Sequence, residues 1–213
     1  MANHVYFSIH LNASNEAVKN LHDSLATEMV EVKTTWGGEP LEPPYHSYKE
    51  LKELEVQPFM ASTNPTFDSD GYLENSWDWY VNNIGAKWCN LEDWNEDYFS
   101  GYSAWSPPVG MVEHMVAYLG QWDEDATAYM TYEDEFRNFV GIADFGVNSE
   151  GEGYSDYEEL DGDDIHNELK KKFGNAVESE TFWDETHEID GEEVCPNEWV
   201  DDLVYSYFEN RSL

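Results

Sequence analysis

The chain has 213 residues, of which 40% are hydrophobic and 15% aromatic, and it carries 46 Asp plus Glu against 10 Lys plus Arg, a formal net charge of -36. That apolar content excludes wholesale disorder despite the charge, and the length suffices for a domain that buries roughly 70% of its unfolded surface. The acidic excess argues against nucleic acid or an anionic membrane as a direct partner, because both would repel it.

In chain order, Val5, Phe7, Ile9 and Leu11 alternate with His4, Tyr6, Ser8 and His10, the pattern of a strand with one buried face. Ser14 is placed to cap a helix with Val18, Leu21 and Leu25 on one side. From Trp36 to Thr66, Pro- and Gly-rich stretches predict a long irregular connection, broken by a short helix around Ser47 to Leu54. Ser76 to Gly85 reads as a short helix ending at glycine. AKWCNLEDW and EDYFSGYSAW are candidate strands. Ser106 as N-cap, Pro107 at the first helical position and Gly120 as terminator predict a helix whose core face is Met111, Val112, Met115, Val116 and Leu119. Two strands should follow, Ala126 to Tyr132 and Phe139 to Phe145. Strand, helix, strand, helix, strand, strand predicts an α+β fold with helices on one face of an antiparallel sheet.

Near Ser149 the character changes. Residues 150-213 hold 21 acidic residues against Lys170, Lys171, Lys172 and Arg211, a net of -17, whereas the 149 before them carry a net of -19. Ile165, Leu169 and Phe173 fit one helix there, and Trp199, Val200, Leu203, Val204 and Tyr207 fit another. The expected organisation is therefore an α+β domain over 1-149 followed by an acidic helical extension over 150-213.

The chemical motifs are sparse. Cys89 and Cys195 have no paired spacing and read as buried free thiols rather than a disulfide or zinc framework. The steps Asp70-Gly71, Asp161-Gly162 and Asp190-Gly191 fail as calcium loops, since the first ligand position would hold Thr66, Tyr157 or Thr186. The seven His residues lack metal-ligand spacing, and carboxylates are so numerous that no pair stands out as acid and base. No cofactor and no enzymatic activity are expected. With no apolar run near the ~20 residues of a membrane span and no basic segment ahead of the N-terminal apolar stretch, no membrane association is expected either. Trp77, Trp79, Trp88 and Trp105 are expected to be mostly core.

SWDWYVNNIGAKWC (Ser76 to Cys89), YSAWSPP (Tyr102 to Pro108) and YEDEFRNFVG (Tyr132 to Gly141) together resemble the YubB-type ferredoxin-like family carried by phages and plasmids. The resemblance covers roughly Val5 to Phe145 and departs at Ile84 and Ala86. It implies a ferredoxin-like fold and a mobile-element origin. It carries over no catalytic residues, and the acidic extension lies outside it.

An origin of that kind gives the charge a use. Duplex DNA presents one charge per ~1.7 Å, and a protein displaying closely spaced carboxylates could occupy the basic groove of a host DNA- or RNA-binding protein. The expectation is a phage-encoded DNA mimic that inhibits a restriction, CRISPR or transcription component in the host cytoplasm, with a homodimer left open. Its contact residues would be Asp156, Glu158, Glu159, Asp161, Asp163, Asp164, Glu178, Glu180, Asp184 and Glu185. The alternative is an acidic protein-binding module whose charge serves solubility or salt adaptation. Against salt adaptation, the 8 Lys outnumber the 2 Arg.

Overall fold

The computed structural model describes residues 3-25, 58-64, 66 and 73-209. The helix predicted around Ser47 to Leu54 and the Asp70-Gly71 step lie outside the described residues, as does most of the connection from Trp36.

Six strands form one sheet: β1 (His4–Asn12), β2 (Cys89–Asn95), β3 (Tyr98–Ala104), β4 (Thr127–Asp134), β5 (Phe139–Val147) and β6 (Gly153–Asp161). Their spatial order is β2-β3-β1-β4-β5-β6, and every neighbouring pair is antiparallel. Helices α1 (Asn15–Leu25), α2 (Ser76–Asn83) and α3 (Val109–Leu119) accompany the first four strands, and α4 (Gly162–Phe173) and α5 (Pro196–Glu209) follow the sixth. A small hairpin, β7 (His187–Ile189) with β8 (Glu192–Val194), turns at Asp190-Gly191, where both residues have the positive φ that a tight hairpin turn needs. That Asp-Gly step is a turn.

The alternation read in β1 decides which face is covered. Val5, Phe7, Ile9 and Leu11 are buried, together with Ala128, Met130 and Tyr132 on β4 and Ala143 and Phe145 on β5. Ala17 and Leu21 of α1 and all five expected residues of α3 close this core, with Phe59 and Met60 from a 3-10 helix (Pro58–Thr63) and Trp79 from α2. The Ser14 helix and the α3 helix thus pack on one face, as expected, and Ser14 Oγ accepts from the Ala17 amide at 3.4 Å.

The punctuation of α3 differs from the expectation. Ser106 is not its cap; its hydroxyl donates to the Gly85 carbonyl at 2.6 Å, and the helix opens at Val109 after Pro108. Pro107 precedes another proline, a position from which helical backbone is disfavoured, so the helix cannot begin there. Gly120 does end the helix, but in right-handed backbone (φ -57°). Its missing side chain serves packing instead, since a Cβ would lie 3.0 Å from a Val147 methyl.

The stretch 150-213 also needs correction. It opens not with a helix but with β6, paired to β5 from Val147↔Gly153 to Phe139↔Asp161. Because β6 is exposed along most of its length, its residues carry no apolar alternation, which is why the sequence hides the strand. A backbone approach fixes its start: a Cβ on Gly153 would sit 2.1 Å from the Glu113 carbonyl of α3. Beyond β6, a second core gathers on Val140 and Leu160, which alternate away from the first core. It contains Ile165, Leu169, Phe173, Phe182 and Val200.

The tryptophans divide. Trp79 is buried, but Trp77 and Trp105 are more than half exposed. Trp77 lies on the outward side of the short helix α2. Trp105 sits in left-handed backbone (φ 71°) with the Lys87 amine 4.8 Å over its ring, so its contact is a surface cation–π pair rather than core.

Candidate partner-binding surface

All ten candidate carboxylates are exposed. The structure does not bring them onto one face. Pleating sends Asp156 and Glu158 to the side of Val140, and Glu159 and Asp161 to the side of α3. Several have structural work. Asp161 caps α4 by accepting from the Asp164 amide at 2.9 Å, and Asp163 and Asp164 occupy the first turn, where negative charge complements the helix dipole. Lys170, Lys171 and Lys172 fill the last turn with the opposite charge. Glu178 ends a 3-10 helix (Gly174–Glu178) and pairs with Lys170 at 2.7 Å, which holds its carboxyl below the usual carboxylate range. Glu180 lies in the link that follows, and Asp184 and Glu185 end the next 3-10 turn (Phe182–Asp184).

Glu159 accepts from the Tyr132 hydroxyl at 3.2 Å. Burial first, and the Glu159 charge second, push the Tyr132 phenol well above its ordinary value. Asp134 is the buried acid of the molecule's β4–β5 turn. It accepts from the Phe136 amide at 3.1 Å, the Asn138 amide at 3.3 Å and the Asn138 side chain at 2.5 Å, and so is a turn support rather than a reactive group. Cys89 and Cys195 are half-buried rather than fully so. The Cys89 sulfur nonetheless turns inward against Met111 Sδ at 3.8 Å, and burial pushes its thiol pKa up, away from nucleophilic behaviour.

Between the end of the sheet and α4 lies a cleft of about 920 Å³, with Phe136, Arg137, His166 and Trp183 in its walls. Arg137 is committed there to Glu133 at 3.0 Å and to Asp201 of α5, so it ties the sheet to the second core. Among the described residues no group of three or more His, Cys, Asp or Glu could hold a metal ion, and no helix is long and apolar enough to cross a membrane.

A surface that sequence reasoning passed over is the part of the sheet face away from α3 that the second core, seated on Val140 and Leu160, leaves uncovered. One row across it runs Tyr98, His10, Tyr129, Asp144, Asp156, each opposite the next on neighbouring strands. The next row holds Ser100, Ser8, Thr131, Ile142 and Glu158. The His10 and Tyr98 rings lie 5.0 Å apart, and Ser8 and Tyr98 share a hydrogen bond of 3.2 Å. Tyr6 and Tyr154 add rings that are 52% and 53% exposed. The signal was present: tyrosine and histidine recur on the solvent side of HVYFSIHLN, YFSGYSA and TAYMTYED.

No family model, no curated protein and no solved structure matches the chain.

Proposed function

We propose that the protein is a phage-encoded, non-enzymatic inhibitor that imitates DNA and occupies the basic groove of a host nucleic-acid-handling protein in the host cytoplasm. The observation that carries this reading is the exposure of all ten candidate carboxylates, from Asp156 to Glu185, in the stretch where acidic charge is densest. The order of the first four strands, β4-β1-β3-β2, with α1 and α3 on one face, supports a ferredoxin-like arrangement and with it the YubB-type resemblance.

Spacing limits how the imitation works. Carboxylates on one side of a strand recur every ~6.7 Å, about half the density of a single DNA strand at 3.4 Å per phosphate. Asp156 and Glu158 therefore need neighbours, and Asp144, directly opposite Asp156, supplies one.

A second reading rests on its own observation. β6 is an edge strand with carboxylates on both sides, and β2 at the other edge carries Glu92 and Asp93 beside an irregularity in register. Charged edges of this kind block edge-to-edge pairing, so the acids could serve solubility alone.

The deciding experiment isolates a partner from bacterial lysate on the immobilised protein at low salt, then titrates the purified pair with duplex DNA. Mutual exclusion is expected. A stable ternary complex would leave the solubility reading in its place.

A further inference from the structure

We infer that the part of this sheet face left open by the second core, the row from Tyr98 on β3 across β1, β4 and β5 to Asp156 on β6, is a docking surface for an extended arginine-rich segment of a partner protein. This goes beyond the imitation of DNA and shares with it only the sign of the partner's charge.

The face offers two chemistries in one line. Tyr98, His10 and Tyr129 form its aromatic half, and Asp144 and Asp156 its acidic half. A hollow of about 480 Å³ at the acidic end is lined by His10, Tyr129, Asp144, Tyr154 and Asp156, so rings flank both carboxylates. Asp144 and Asp156 stand directly opposite each other, an arrangement in which like charges destabilise a sheet. Among the described residues, neither has a cationic partner. A guanidinium placed between them relieves that repulsion and lies flat against Tyr129 or Tyr154, combining a forked hydrogen bond with cation–π contact. Lysine satisfies the charge but not the planar stacking.

The dimensions fit a short segment. Four interstrand steps separate β3 from β6, about 19 Å, the length of roughly six extended residues. Aromatic sheet faces also stack nucleobases, but the phosphates attached to those bases would meet Asp144, Asp156 and Glu158 on a chain of net charge -36. A second copy of the chain brings the same negative charge and is disfavoured for the same reason.

The test is an amide NMR titration of the full chain with an octapeptide of alternating arginine and glycine, beside a matched peptide in which citrulline replaces arginine. The arginine peptide should shift Ser8, His10, Tyr98, Tyr129, Thr131 and Asp144, and the citrulline peptide should not. Tyr98→Thr with Tyr129→Thr should weaken binding about fivefold to tenfold, and Asp144→Asn with Asp156→Asn about tenfold or more. The asparagine pair guards against the threonine pair failing to fold. Shifts confined to α4 and Glu178 to Glu185, unchanged affinity in the asparagine pair, the same shifts with oligouridylate, or a dimer that shields the face in sedimentation would each overturn the inference. Its failure is distinguishable from that of the proposed function. Peptide binding that persists when duplex DNA and the partner bind together removes only mimicry, whereas DNA competition without peptide binding removes only this site.

Discussion

Tyr132 shows how one side chain links the scaffold to the acidic surface. Its ring is buried against Gly141, where a Cβ would lie 2.2 Å from the ring, and its hydroxyl reaches Glu159 on β6. Because the folded phenol holds its proton above the ordinary value of about 10, it supports the fold fully below that pH, and the support is lost as pH rises beyond it. Tyr132→Phe should cost about 1 kcal/mol at neutral pH and flatten the alkaline limb of an unfolding titration. An unchanged alkaline limb would contradict this assignment. Met115, fully buried in α3, makes the complementary case. Met115→Asp places a charge with no partner in the first core and should remove roughly 4 kcal/mol or more in chemical denaturation, enough to unfold a marginal domain. A folded, soluble variant of unchanged midpoint would reject that placement.

At the scale of elements, the edge strand β6 and the start of α4 carry acids for more than one reason. Asp161→Ala should cost about 1 kcal/mol through loss of the α4 cap, while Asp161→Asn, which can still accept from the Asp164 amide, should be nearly neutral in thermal melts. Equal losses in the two variants would mean that charge, not the cap, matters at this position. Pleating makes a second prediction possible. A flat basic groove can meet one side of β6 at a time, so Asp156→Asn with Glu158→Gln should flatten the salt dependence of partner binding by about two units of slope, and Glu159→Gln with Asp161→Asn by far less, or the reverse. Equal flattening by both pairs would argue for a partner that wraps the edge.

For the whole molecule, 46 Asp plus Glu face only 10 Lys plus Arg, so like-charge repulsion opposes compaction, and six ion pairs among the described residues offset a small part of it. Raising salt from about 0.01 M to about 1 M shortens the screening length from ~30 to ~3 Å and should raise Tm by several degrees. A Tm that falls with salt would mean that the ion pairs outweigh the repulsion. Sequence made the first core legible, because β1, β4 and α3 each bury one face and so leave a period of two or 3.6 in their residues, while β5, buried on both faces, leaves a nearly continuous apolar run. It hid β6, whose exposed backbone imposes no apolar period. It also hid the open face, because register across five strands is a property of pairing and not of any one segment. The ten carboxylates were readable as exposed, but their division between two sides of a strand was not, since that depends on the strand having been missed.

The central claim is that the partner is held by many exposed carboxylates acting additively. The direct measurement is the affinity of the purified partner at several salt concentrations, for the natural protein and for a variant with Asp156, Asp161, Asp163 and Asp164 changed to Asn and Glu158 and Glu159 changed to Gln. The account predicts a marked loss of affinity at low salt and a salt slope flattened by several units, about one for each carboxylate on the side that meets the groove. Unchanged affinity and slope in the six-fold variant would contradict it and leave the acids with the task of keeping the sheet edges apart.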